Sequence, residues 1–385
     1  MAIFNMRVLT LEGTPRQRGR QHGEELREMI GRHLDLYREN IQQDTGLGAQ
    51  AFFDRFYAET DFLPIIEKYT PDLLDEVRGI AEGSGRNFDE VLARQLSDED
   101  PWFRQIVKFG REVPENCSCL GTSETGRSLI AQNMDSPAYY DGFQMLLRVR
   151  EPDSDVESLV FTVAGKLSLA GMNNQGIGIC CNTVLQLDFN PRGLPEDFIV
   201  RKVLQQTNLP DVLSFMRSIP HASGQNYLLG GPTGVVDLEC SAHKVVEVPP
   251  LLNNRRVYHT NHPLANNDTQ SWDALLERGA REAPQMVAQM KARQTTFDRF
   301  AALKRDVEAD QALDVRRAAD ILSDHTAPVC LHHLHQGNYT LGCLIMELDV
   351  RDPRLNAAGG PPCSTPFRTY TFDARTEPGT IRRTE

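Results

Sequence analysis

Three residue types that together perform acyl transfer are spaced along this chain in a suggestive order. Cys117 follows Asn116 directly, beyond a polar, proline-containing approach from Arg111 to Glu115. Eighteen residues after it, a short apolar run ends in Gln132-Asn133-Met134-Asp135. Much later, Arg255-Arg256-Val257-Tyr258 reads as a strand that closes in His259-Thr260-Asn261-His262-Pro263 and leaves Asn261 at a strand end. A thiol is the strongest of the common side-chain nucleophiles, and an asparagine amide is a fixed donor for the oxyanion its attack creates. The Asn116–Cys117 bond is read as one the protein cuts itself. Cys117 would then carry a free α-amine with a pKa near 7.7–8.0, able to take the thiol proton at neutral pH without a separate histidine.

The other cysteines have a different texture. Of the eight, those at 180, 181 and 343 sit in apolar, strand-like runs as buried free thiols do, and a chain of this size needs no disulfide framework. Cys119 is read as a bystander two residues along the same extended face as Cys117. A rival chemistry lies in Cys330-x-His332-His333-x-His335, which packs four metal-ligand types into six residues. Those residues lack the paired spacing of structural zinc modules, and no second Cys/His cluster completes them, so no metal is expected. A separate Cys/His thiol pair would need His259 or His262 as base.

The elements that must position these residues change character at Cys117. Before it, Arg7–Glu12 reads as a short strand, followed by one long amphipathic helix from Pro15 to Asn40 with Leu26, Ile30, Leu34, Tyr37 and Ile41 at spacings of three and four. Gly19 and Gly23, about one turn apart, would admit another element closely. Thr70-Pro71 caps a second helix ending near Gly83, and Asn87 with Glu90 forms a capping box for a third. After Cys117 come short strands, expected at 127–133, 144–150, 157–163, 175–181, 225–230, 234–240, 255–260 and 339–348. Helices are expected at 195–206, 209–218, 270–306 and 314–323. Grouped helices with antiparallel-looking strands indicate an α+β layered sandwich.

The 385 residues are 40% hydrophobic and 24% charged, with a net charge of −12 and no basic run, which argues against a nucleic-acid partner. No stretch approaches the roughly 20 apolar residues of a membrane span, and a basic, then apolar leader is not evident. A cytoplasmic protein is expected.

The order Cys117…Gln132-Asn133-x-Asp135, then Gly171-Met172-Asn173-Asn174-Gln175-Gly176, Asn182-Thr183, Gln225-Asn226-Tyr227 and His259-Thr260-Asn261-His262, resembles the acyl-coenzyme A:6-aminopenicillanic acid acyltransferase family of N-terminal-nucleophile hydrolases. Arg18-Gly19-x-Gln21-His22-Gly23 and Leu74-x-Glu76-x-x-Gly79-Ile80-Ala81-Glu82-Gly83 match its leading stretch. The resemblance implies a four-layer αββα sandwich. It also implies maturation into chains 1–116 (mostly helical) and 117–385 (catalytic), which stay associated as one folded unit. Cys117 matches the self-processing nucleophile, Asp135 the active-site aspartate and Asn261 the oxyanion-hole asparagine. Ser118 fits the family's small hydroxyl residue after the nucleophile. Asn116 departs from the small residue common before it and is able to slow cleavage by local hydrogen bonding.

Asn133, Tyr139, Asn182, Asn226 and Thr340 are candidate substrate contacts. The loops 136–143, 184–194 and 262–272 are expected to set specificity, with Tyr139, Tyr140, Phe143 and Trp272 as pocket walls. No cofactor is expected, and no Gly-rich phosphate loop of the usual kind supports coenzyme A as acyl donor. The expected partner is a small-molecule amide of acyl-amine or β-alanyl-amine type. Acyl-coenzyme A is an alternative acyl donor, a homo-oligomer is compatible with the chain, and a non-catalytic, metal-binding protein built on His332, His333 and His335 is the reading from another class.

Overall fold

Strands that are apolar on both faces must be covered on both faces. In β12 (Asn338–Glu347) and β3 (Leu129–Pro137), all but the last residue of each is buried. Their side chains alternate between two cores. Ile130, Met134, Leu344 and Met346 point into the larger one, whereas Leu129, Ala131, Cys343 and Ile345 point into a second, smaller one. That alternation identifies the interior of a layered sandwich.

The computed structural model describes residues 6–107, 117–124, 128–250, 255–282, 284–285, 287, 295–309, 311–332, 338–372 and 379–380. Among the described residues, seven helices follow β1 (Arg7–Leu11) in the leading segment: α1 (Pro15–Glu25), α2 (Arg27–Thr45), α3 (Ala49–Glu59), α4 (Phe62–Tyr69), α5 (Pro71–Ser84), α6 (Phe88–Gln95) and α7 (Asp100–Val107). The remaining strands are β2 (Ser118–Thr122), β4 (Gln144–Arg150), β5 (Glu157–Val163), β6 (Ala170–Asn173), β7 (Gly178–Thr183), β8 (Gln225–Gly231), β9 (Gly234–Cys240), β10 (Val245–Val248), β11 (Arg256–His259), β13 (Arg354–Ala358), β14 (Arg368–Thr371) and β15 (Gly379–Thr380). Helices α8 (Glu196–Val203), α9 (Leu209–Ser218), α10 (Gln270–Glu282), α11 (Thr296–Val307) and α12 (Val315–Leu322) complete the chain.

One sheet runs β1-β4-β5-β6-β7-β8-β9-β10 and the other β11-β2-β3-β12-β13-β14-β15. Every pairing is antiparallel except β1 with β4. Strands β2 and β3 face β7 and β8 across the larger core; α8 and α9 pack outside β7 and β8, and α11 and α12 outside β11, β2, β3 and β12. The architecture is therefore α+β, in the order αββα. Among the described residues no helix is long and apolar enough to cross a membrane.

Several local expectations change in detail. The helix expected over 15–40 breaks at Leu26, whose φ of −121° is not helical, and resumes at once as α2. The hydrophobic spacing continues across the break, which hides it. Thr70 does not cap α5 with its hydroxyl; the group reaches back to the Ile66 carbonyl at 3.1 Å, because α4 ends there. Asn87 accepts from Asp89 N at 2.8 Å, while Glu90 pairs with Arg38 instead of closing a capping box.

The leading glycines have a packing role. A Cβ built on Gly19 would stand 2.0 Å from Glu76 O, and one on Gly79 would stand 2.3 Å from Arg16 O. Helices α1 and α5 thus cross backbone to backbone. Beside the crossing, fully buried Glu76 accepts from Arg18 at 3.0 Å and Arg201 at 2.9 Å, tying α1 and α5 to α8.

Candidate active site

The register of one hairpin brings the separated sequence signals together. Ser118 of β2 lies opposite Asn133 of β3, so Cys117 stands just beyond the strand end, beside Met134-Asp135. Its Sγ lies 3.9 Å from the Asp135 carbonyl oxygen. On the far side of β2, β11 ends with His259 opposite Cys119, which carries Asn261 to the same end of the sheet. On the far side of β3, Thr340 of β12 lies opposite Asp135, where a register shift between Thr340 and Gly342 marks a bulge. Four neighbouring strands therefore deliver Asn261, Cys117, Asp135 and Thr340 to one sheet end.

Arg299 joins them, and it is the residue the sequence reading missed. It lies on the buried stripe Thr296, Arg299, Ala302, Leu303, Val307 of α11 and is fully buried. Its Nη1 donates to the Cys117 carbonyl at 2.6 Å and to Ser118 Oγ at 3.0 Å, and its Nη2 donates to Asn261 Oδ1 at 2.8 Å. A planar guanidinium fork fixes such acceptors relative to one another as an ammonium cannot. The available signal was an arginine interrupting an otherwise apolar helical stripe.

Burial raises the pKa of both the carboxyl and the thiol. Burial raises Asp135 to about 7, while a hydrogen bond from Thr340 and the Arg299 charge pull the other way. Thr340 Oγ1 donates to Asp135 Oδ1 at 2.5 Å, whereas Oδ2 has no hydrogen-bond partner among the described residues. Burial, reinforced by the charge of Asp135, pushes the Cys117 thiol up to about 12. Such a thiol attacks only when a base takes its proton as it reacts.

Asn261 is held from three sides. Its backbone N–H donates to Thr296 Oγ1 at 2.9 Å, its Oδ1 accepts from Arg299, and one amide hydrogen goes to the Thr183 carbonyl at 2.9 Å. Among the described residues the second hydrogen of that amide has no acceptor and remains to be offered to a ligand.

The other expected residues spread over several environments. Asn133 donates to the Leu322 and Val329 carbonyls, at 2.6 and 2.8 Å, and so ties the end of α12 to β3. Buried Asn182 lies between the sheets, donating to the His259 carbonyl at 3.4 Å and accepting from Gln132 at 3.5 Å. Asn226 donates to Cys119 Sγ at 3.7 Å. The Tyr139 ring lies 4.9 Å from Tyr140 and 6.1 Å from His33, and Phe143 stacks on His33 at 4.7 Å. Tyr140 and Phe143 are buried in this aromatic cluster. Asn116, His333 and His335 lie outside the described residues, and with them the 116/117 bond.

Neither candidate histidine base is arranged to serve Cys117. His259 is fully buried, with Nε2 on Glu239 Oε1 at 2.9 Å and Nδ1 on the Thr260 carbonyl at 2.8 Å. Both partners accept, so both ring nitrogens donate. The pKa is raised, the Glu239 hydrogen bond and the Asp237 and Glu239 charges outweighing the largest single influence, burial. His262 shares hydrogen bonds through Nδ1 with Thr260 and Thr296, and burial lowers it to about 4.

Comparison with known proteins adds an independent line. The sequence pattern described as acyl-coenzyme A:6-aminopenicillanic acid acyl-transferase matches residues 122–355, a span that begins just after Cys117 and contains Asp135, Asn261, Arg299 and Thr340. The acyl-coenzyme A:6-aminopenicillanic-acid-acyltransferase 40 kDa form of Emericella nidulans is 23% identical over 268 residues, covering 67% of this chain and 70% of the relative. Among solved structures, penicillin V acylase from Agrobacterium tumefaciens is similar at 12% identity and TM-score 0.40, over 67% of this chain and 86% of that one. A variant of conjugated bile acid hydrolase from Clostridium perfringens is similar at 12% identity and TM-score 0.38, over 70% of this chain and 97% of that one.

Proposed function

This chain belongs to the acyl-coenzyme A:6-aminopenicillanic acid acyl-transferase family, and from that premise we propose that it cuts itself between Asn116 and Cys117 and uses the freed Cys117 as the nucleophile of a linear N-acyl amidase. Amide hydrolysis and acyl transfer are the chemistry of the family. The single observation that carries the cysteine reading is the Arg299 fork, which holds the Cys117 carbonyl and the Asn261 side chain in one frame beside Asp135.

In self-processing, Cys117 Sγ attacks the Asn116 carbonyl and the Asn116–Cys117 C–N bond breaks as its nitrogen takes up the thiol proton, leaving a thioester on Sγ and a free α-amine on Cys117. Water hydrolyses the thioester, giving a carboxylate on Asn116 and restoring the Cys117 thiol. In turnover, Sγ attacks the substrate amide carbonyl while its proton passes to that α-amine, the base which a thiol raised to about 12 requires. The uncommitted Asn261 amide hydrogen stabilises the tetrahedral oxyanion. The C–N bond then breaks, and the leaving amine takes the proton from the α-amine. Water attacks the acyl-cysteine, releasing the carboxylic acid and restoring the thiol. Ionised Asp135, with one oxygen on Thr340 and the other uncommitted, orients the α-amine through that second oxygen. Acyl-coenzyme A would enter the same acyl-enzyme by thioester exchange, with an amine in place of water as acceptor.

Denaturing intact mass of the purified protein is the test. Two species, ending at Asn116 and beginning at Cys117, are expected, and a single uncut and inactive species from Cys117→Ala. A Cys117→Ala protein that still splits there would overturn the reading. N-acyl amines, β-alanyl amines and acyl-coenzyme A with an amine acceptor, offered in turn to the wild type, distinguish hydrolysis from transfer.

A further inference from the structure

The histidine-rich segment that lacked a completing cluster in the sequence acquires one in the fold. After α12 ends, the chain carries His325, Cys330 and His332 before β12 begins, and strand β13 leads back to Cys363. Ligand atoms of His325, His332 and Cys363 all lie within 4.8 Å of one another. The two imidazole centroids are 5.1 Å apart. The Cys330 side chain is hydrogen-bonded to that of Cys363, and neither cysteine is in a disulfide. His325 Nδ1 lies 3.1 Å from the Cys330 carbonyl. A carbonyl only accepts, so Nδ1 carries the hydrogen and Nε2 keeps its lone pair, the tautomer that a ligating histidine held by a carbonyl adopts.

We propose that His325, Cys330, His332 and Cys363 form a tetrahedral site for zinc or a similar thiophilic divalent cation. Two sulfurs and two imidazoles are the donor set of structural zinc sites, and they disfavour magnesium and calcium, which take oxygen. Bond lengths of about 2.0–2.3 Å place tetrahedral ligands roughly 3.3–3.8 Å apart, so the atoms of His325, His332 and Cys363 need to close by no more than about 1–1.5 Å, with Cys330, hydrogen-bonded to Cys363, turning in as the fourth ligand. His325 and His332 are exposed, which gives the ion a route from solvent. On binding, both thiols release their protons to water, and the two thiolates balance the dication.

The site sits one hydrogen bond from the aspartate's support. Leu331, between Cys330 and His332, donates its N–H to Thr340 Oγ1 at 2.9 Å and accepts from Thr340 N at 2.8 Å. Thr340 Oγ1 in turn donates to Asp135. Metal at the four ligands would clip residues 325–332 to the segment after β13 and so fix the strand that holds Asp135. Binding itself does not depend on the reading of Cys117; only its effect on turnover does.

The experiment uses the full protein, stripped with a chelator under reducing conditions and titrated with Co²⁺ and then Zn²⁺. About one ion per chain is expected, with the thiolate charge-transfer and tetrahedral visible bands of Co²⁺ bleached by Zn²⁺. His332→Ala and Cys363→Ser should each weaken binding at least about tenfold. The first replaces an exposed residue, which guards against misfolding as the explanation. His243→Ala, in the separate Asp188–His243–Asp268 group, should leave binding unchanged. Slower exchange of the Leu331 amide on adding Zn²⁺ would support the link to Thr340. Absence of the thiolate band, equal binding by Cys363→Ser, loss only in His243→Ala, or a Cys330–Cys363 disulfide in reduced preparations would each overturn the site.

Discussion

Replacing Thr340 by valine keeps the shape of the side chain and removes the one hydroxyl that holds the Asp135 carboxylate. That hydroxyl donates to Oδ1 at 2.5 Å and pulls against the burial that raises Asp135 to about 7. A hydrogen bond to a charged group contributes about 1.5–3 kcal/mol, and 1.36 kcal/mol corresponds to one pH unit, so Asp135 should titrate about one to two pH units higher in Thr340→Val. The proposed mechanism needs Asp135 ionised, so the acid limb of kcat/KM should lie near pH 7 in the wild type and move upward by that amount. At pH 7 activity should fall about 5- to 50-fold, recovering toward wild type as pH approaches 10. Stability supplies an internal control. A carboxyl raised above its unfolded value stabilises the fold most below about pH 4, and that contribution is lost as pH rises through about 7. The variant's Tm deficit should therefore be small at pH 5, where it reflects the Leu331 N–H left without its acceptor and the loss of a bond to a neutral carboxyl, and larger at pH 9. Parallel pH profiles, lowered equally at every pH, would refute the reasoning.

Asn261→Ala should lower kcat by about 10²–10³ with little change in KM, as for a donor that acts on the oxyanion; an unchanged kcat would remove it from the chemistry. Arg299→Lys substitutes one compact charge for a fork that holds both the Cys117 carbonyl and Asn261 Oδ1, and turnover should fall roughly tenfold to a hundredfold, read as kcat/KM with intact mass reporting the extent of self-cleavage. Gly79→Ala forces a Cβ to within 2.3 Å of the Arg16 carbonyl and should cost about 1–3 kcal/mol in denaturant unfolding; Gly234→Ala, with open space around its Cβ position, is the comparison that should show little loss.

The legible part of this molecule is what a single local segment specifies. Strands such as 144–150 and 234–240 carried their own alternation, and the Asn261 segment read as a strand end because β11 is apolar and stops at a turn-rich sequence. Cys117 read as part of a loop because Pro114, Glu115 and Asn116 precede it, and β2 after it is short, SCLGT, with a glycine. What makes it a strand is its place between β3 and β11, where a Cβ on Gly121 would already approach Ile130 and Val257 at 3.2 and 3.3 Å. Arg299 and Cys363 were illegible for a different reason. Each acquires its partners from strands or turns far away in sequence, and no periodicity within α11 or around residue 363 records which carbonyl or thiol the fold will set beside it.

Strand β1 gives the leading segment a place inside the sheet it precedes, paired parallel with β4 from Arg7–Met145 to Leu11–Val149. For a chain severed after Asn116, this changes the order of the folding reaction. Before the cut, β1 finds β4 within one molecule, at an effective concentration set by the intervening chain. Afterwards the same pairing is a meeting of two separate polypeptides. Native protein would not register the difference, since the β1–β4 pairing and the buried Glu76–Arg201 ion pair hold the pieces together. Once denatured, however, the severed enzyme should regain its fold at a rate that falls with dilution, while the uncut Cys117→Ala chain refolds at a rate indifferent to it.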